Sequence, residues 1–121
     1  MKGINKSKLP IWIATALILS GSVFTKAEDS PRVVEITAKR FQFTPNQITV
    51  KKGETVTLKL TSEDVTHGFF SRPLKIDTEI VPGKTTVVTI TPQAVGRYTT
   101  ICDHFCGVGH GNMAMMIVVI E

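Results

Sequence analysis

At 121 residues the chain falls in the one-domain range, and its hydrophobic fraction of 42% is ordinary for a globular domain with a modest core. Four of the 14 Lys and Arg (Lys2, Lys6, Lys8, Lys26) and none of the 10 acids precede residue 28, so the formal net charge of +4 belongs to the start of the chain and the rest carries ten charges of each sign. That neutrality excludes a basic face for nucleic acid.

Residues 1–27 stand apart in composition. Lys2, Lys6 and Lys8 precede an uncharged stretch from Leu9 to Thr25, closed by Thr25-Lys26-Ala27, which is the pattern of a secretory signal with a small-residue cleavage site. Read instead as a membrane anchor, the 17 uncharged residues at about 1.5 Å each reach about 25 Å, against a hydrocarbon core of roughly 30 Å. Ser20, Gly21 and Ser22 weaken the second half further, so length and flanks favour the cleaved signal. Both readings export the remainder, because a basic start stays on the cytoplasmic side. The expected location is the periplasm, or the outer face of the cytoplasmic membrane if residues 9–25 are retained as an anchor.

Residues 28–121 read as a single domain. After the polar linker Glu28-Asp29-Ser30-Pro31, brief β-rich runs alternate with Pro, Gly, Asn and charged pairs, the spacing of an antiparallel β-fold. Val33–Lys39 alternates in part, and Gln47–Val50 follows the turn at Pro45-Asn46. In Thr55–Ser62 the residues Val56, Leu58 and Leu60 share a face, and in Lys84–Thr91 so do Thr86, Val88 and Ile90. Period two means one buried face. Arg97–Cys102 and the apolar Met116–Ile120 close the set. No 12-residue stretch beyond residue 30 has a helical period, so about seven short strands predict an all-β sandwich or barrel.

The chemistry concentrates in Cys102-Asp103-His104-Phe105-Cys106-Gly107-Val108-Gly109-His110-Gly111-Asn112-Met113, which holds both cysteines and two of the three histidines. Thiolate, imidazole and thioether together favour copper over hard cations, which want oxygen. Three other readings compete. Two cysteines in an oxidising compartment commonly pair as a disulfide, but that explains none of the His and Met placement. Zinc accepts two Cys and two His, which reduces Met113 to a core methionine like its neighbours Met115 and Met116. A mononuclear blue-copper site uses His67, Cys106, His110 and Met113 and leaves Cys102 idle. A second thiolate at Cys102 favours two sulfurs bridging two coppers, a compact core over which a gained electron spreads. Gly107, Gly109 and Gly111 suit a loop wrapped tightly around such a core. No Ser-His-Asp arrangement or paired carboxylates accompany the loop, which points to carrying electrons rather than transforming a substrate.

At these residues the sequence resembles the CuA domain of cytochrome c oxidase subunit II, especially the short subunit II of ba-type bacterial oxidases. The resemblance runs from Phe41 to Glu121 through Phe43-Thr44-Pro45, Val65-Thr66-His67-Gly68-Phe69, Val81-Pro82-Gly83, Gly96-Arg97-Tyr98 and the whole Ile101–Met113 loop. It implies a cupredoxin-like Greek-key fold and a binuclear CuA centre of two copper ions. By resemblance, Cys102 and Cys106 bridge the ions, His67 and Met113 complete one, and His110 with the backbone carbonyl of His104 completes the other. It also implies a c-type cytochrome or another small redox protein as electron donor, and terminal oxidase subunit I as a neighbour. Where many members carry Glu this chain has His104, so only the carbonyl role transfers. Its only tryptophan, Trp12, lies in the leader, which leaves Phe69, Phe70 and Phe105 as candidates for an apolar docking face, with core packing the expected role of at least one. The longer subunit II proteins carry two membrane helices and this chain has at most one, so a free exported carrier stands beside the oxidase subunit. The competing function is periplasmic copper binding for delivery or storage.

Overall fold

The computed structural model describes residues 31–121, and the signal or anchor expected over residues 1–27 lies outside them. Nine strands follow in chain order: β1 (Arg32–Lys39), β2 (Gln42–Thr44), β3 (Gln47–Lys51), β4 (Val56–Ser62), β5 (His67–Ser71), β6 (Ile76–Ile80), β7 (Thr86–Ile90), β8 (Gly96–Ile101) and β9 (Ala114–Ile120). They form two sheets, ordered β2-β1-β4-β7 and β3-β9-β8-β5-β6. A single 3₁₀ turn at His110–Asn112 is the one helical element among the described residues, none of which form a helix long and apolar enough to cross a membrane.

Alternation decides which face of each strand is covered. Val56, Leu58 and Leu60 of β4 are fully buried, as are Ile36 and Ala38 of β1, and they meet Phe43, Phe69, Ile80 and Ile117 between the layers. Each such Leu, Ile or Phe contributes about 1.5–3 kcal/mol by leaving water. In β7 the outward Val87 is 57% exposed, while Ile90 joins the core. The faces read from the sequence are therefore the observed ones.

The antiparallel expectation needs correction. β1 runs parallel to β4, pairing Arg32 with Val56 through Ala38 with Ser62, and β3 runs parallel to β9, pairing Gln47 with Met116 through Lys51 with Ile120. Period two reports the buried face but carries nothing about the direction of the neighbouring strand. The strands β2, β5 and β6 were not among the runs read from the sequence; β2 is only three residues long, and β5 is buried at four of its five positions, which hides any alternation.

Two pairings set up one end of the sandwich. β8 and β9 are antiparallel up to Ile101 opposite Ala114, and the Cys102 N–H donates to the Met113 carbonyl at 3.0 Å. The segment from Cys102 to Met113 is thus a loop pinched shut at its base. On the other side of β8, Phe70 of β5 pairs with Ile101, which carries the start of β5 alongside the start of that loop.

Candidate metal centre

His67 opens β5 and is fully buried. The next residue, Gly68, lets the ligand loop cross: a Cβ there would stand 2.7 Å from the His104 nitrogen and 2.8 Å from that of Asp103, and would collide with the Asp103 carboxylate. Only a residue without a side chain permits this approach. The Gly68 N–H donates to the Cys102 sulfur at 3.3 Å, so the backbone that admits the loop also holds its first cysteine.

Both cysteines are free and buried, with sulfurs 3.6 Å apart. Around that pair, Nδ1 of His67 lies 3.9 Å from the Cys102 sulfur, and the His104 carbonyl accepts from the Cys102 thiol at 3.2 Å. Nδ1 of His110 and the Met113 sulfur each lie 3.9 Å from the Cys106 sulfur. All six groups expected from the sequence therefore sit next to one or other sulfur. The ligand atoms of His67, Cys102 and Cys106 fall within 4.8 Å of one another, a spacing that suits a metal-binding cluster. Two thiols, two imidazole nitrogens, a thioether and one carbonyl form a soft set that fits copper.

The environment prepares these groups. Asp64 accepts from Nε2 of His67 at 2.7 Å, which fixes the imidazole tautomer and leaves Nδ1 to face the sulfurs. Burial works against the Asp64 carboxylate, yet the N–H groups of Arg40 and Val65 and the His67 ring hold it well below the usual carboxylate range. Burial, followed by the Cys102 thiol beside it, pushes the Cys106 thiol up to about 11. The metal-free site thus holds Cys106 as a neutral thiol whose proton leaves when a metal takes its place.

Sequence reading missed several contributors. Asp64 carries no motif of its own, and only its position three residues before His67 hints at a partner. Arg40 donates from Nε to the Cys106 carbonyl at 2.8 Å across 66 residues of sequence, a relationship with no local signal. Among the loop glycines, Gly107 has φ of +141°, as the wrapped loop requires, and Gly109 lies against the Phe41 ring, whereas Gly111 has open space around it. Of the three phenylalanines considered for docking, Phe69 is the one that packs in the core. Phe69 is fully buried and packs edge-on against Phe43 with ring centroids 5.4 Å apart, because its place in β5 points it between the sheets. Phe105 is 72% exposed and Val108 entirely so, and the Phe105 ring stands 5.9 Å from that of His110.

Residues 10–119 match the family described as the cupredoxin-like domain. Cytochrome c oxidase subunit 2 of Thermus thermophilus is 41% identical over 88 residues, which are 73% of this chain and 65% of that relative, so the chain spans just under two thirds of its length. Among solved structures, a heme-copper terminal oxidase dimer matches with a TM-score of 0.69 at 27% identity, over 78% of this chain and 68% of that one. The periplasmic domain of subunit II of cytochrome oxidase from Bradyrhizobium japonicum also has a TM-score of 0.69, over 74% of this chain and 84% of that one; at 18% identity it bears on the fold alone.

Proposed function

This chain belongs to the cupredoxin-like domain family, and from that membership we propose that it transfers single electrons through a binuclear copper centre of the CuA type. Cys102 and Cys106 would supply two thiolates to the metal pair, His67 and His110 the nitrogens, and Met113 and the His104 carbonyl the weaker contacts. The observation that carries this reading is the 3.6 Å sulfur pair flanked by an imidazole nitrogen at each end. Neither a disulfide nor a mononuclear site calls for that symmetry. A thiolate-bridged copper pair, when bound, takes up and releases one electron with small changes in bond length.

The chain's own residues supply the rest. Asp64 holds the His67 ring so that Nδ1 points inward, and the Gly68 N–H stabilises negative charge on the Cys102 sulfur. His67, Cys102, Cys106 and Met113 are each less than 5% exposed, so water is kept from the sulfurs and little solvent reorganises as charge arrives. His110 is half-buried, and with the exposed Phe105 ring 5.9 Å from its own it offers a route between the centre and the surface.

The similarity to cytochrome c oxidase subunit 2 supports a role outside the cytoplasmic membrane. There the domain receives electrons from a c-type cytochrome or similar small carrier and passes them to terminal oxidase subunit I, or serves as a free periplasmic carrier. The test is the copper content of the natively expressed protein together with its electron paramagnetic resonance spectrum. Two coppers with a delocalised mixed-valence signal are expected. One weakly held Cu(I) without a visible band would establish copper delivery or storage instead, and stoichiometric zinc a structural site.

A further inference from the structure

The turn between β1 and β2 touches both halves of the metal centre. The Arg40 backbone N–H donates to Oδ2 of Asp64 at 2.8 Å, the carboxylate whose other oxygen holds His67. The Arg40 side chain then crosses to the ligand loop, where Nε donates to the Cys106 carbonyl at 2.8 Å. Phe41 follows, with its ring so close beneath the loop that a Cβ on Gly107 would lie 2.9 Å from it. The loop's internal backbone ties all lie towards its 3₁₀ end, where the N–H groups of His110, Asn112 and Met113 donate to the Gly107, Gly109 and His110 carbonyls at 3.1, 3.2 and 3.1 Å, and none of them holds Cys106.

We propose that Arg40 is a positioning residue of this centre, pinning the Cys106 carbonyl from one side and the Asp64 carboxylate from the other, and setting a permanent cation beside the sulfur pair. The inference rests on the copper reading above. A guanidinium suits the task because it is planar and always charged, and its Nε–H points in a fixed direction relative to the stem. A lysine ammonium keeps the charge but loses that direction. With the loop tied through Cys106 and the His67 side tied through Asp64, one residue fixes the spacing of the two ligand-bearing segments. The cation, close to sulfurs shielded from water, favours the electron-rich state of the centre.

Two measurements on the full chain test this. In the metal-free protein, nuclear magnetic resonance should find the Arg40 Nε–H, which is hydrogen-bonded to the Cys106 carbonyl, exchanging with water about tenfold more slowly than those of the equally exposed Arg72 and Arg97. In the copper-loaded protein, Arg40→Met should release copper to a chelator about tenfold faster than the parent, alter the copper hyperfine pattern and lower the reduction potential. Arg40→Lys should recover the potential more than the hyperfine pattern. Unprotected Nε–H, or an Arg40→Met protein with parental release rate and spectrum, would overturn the proposal. Should Arg40→Met fail to fold, Arg40→Lys and the parental exchange rate decide the matter. A parent that takes up no copper pair sinks the functional reading, while Nε–H exchange still reports whether Arg40 pins Cys106.

Discussion

Asp64, on the short loop between β4 and β5, accepts a 2.7 Å hydrogen bond at Oδ1 from Nε2 of His67, the first residue of β5. Because an ionised carboxylate only accepts, Nε2 must carry a proton, and in the neutral ring Nδ1, 3.9 Å from the Cys102 sulfur, then presents its lone pair. Asp64→Ala removes that constraint. Copper retention against a chelator should fall about tenfold, and the metal-free protein should lose about 1–3 kcal/mol because the buried Nε2 of His67 is left without its acceptor. Undiminished retention would show that β5 alone orients the ring.

At Gly68 the ligand loop passes too close for any side chain. Gly68→Ala should therefore destabilise the metal-free protein by about 1–3 kcal/mol in denaturant unfolding. Gly111→Ala, where nothing lies within 4 Å of the added carbon, should stay within about 0.5 kcal/mol of the parent. Equal effects at the two positions would contradict the crossing of loop and strand.

The two cysteines are predicted to be unequal. Cys102→Ser should leave at most a mononuclear copper spectrum, since His67, Cys106, His110 and Met113 still make a blue-copper set. Cys106→Ser should abolish the coloured site, because the Cys106 sulfur is the one next to both His110 and Met113. Metal analysis with visible absorption reads both. Two coppers and an unchanged spectrum in Cys102→Ser would remove the bridging argument.

Met113 is 1% exposed with its sulfur against Cys106. Met113→Leu preserves volume, costs less than about 1.5 kcal/mol in stability and should retain copper while shifting its reduction potential, since a weak thioether tunes more than it holds. Voltammetry of the loaded variant checks this, and an unshifted potential would make Met113 a packing residue only.

The phenylalanines Phe69 and Phe105 should separate cleanly. Phe69→Ala opens a hole against Phe43 and should cost about 3–5 kcal/mol. Phe105→Ser, on an exposed loop, should cost no more than about 0.5 kcal/mol and should slow electron exchange with a redox partner without altering the copper spectrum. Stopped-flow kinetics with a small c-type cytochrome distinguishes a docking contribution from none.

Much of the fold was legible locally. In β4 and β7 the buried faces follow directly from alternating residues, because the pleat converts period two into sidedness. The parallel pairs β1 with β4 and β3 with β9 were not legible, since hydrogen-bond direction depends on how distant segments return. For the same reason the sequence did not tell which of Phe69, Phe70 and Phe105 packs inside: an aromatic in a short strand carries no sign of which side the opposite sheet will cover.

The sequence by itself determined the donor chemistry: two thiols, two imidazoles and a thioether within reach of one pinched loop and one upstream histidine, a combination set by residue identity and spacing. Tertiary structure decided how those donors are held. Asp64 on His67, Gly68 on Cys102 and Arg40 on Cys106 are contacts between segments brought together by packing and pairing. Their energies depend on distances that no local pattern encodes.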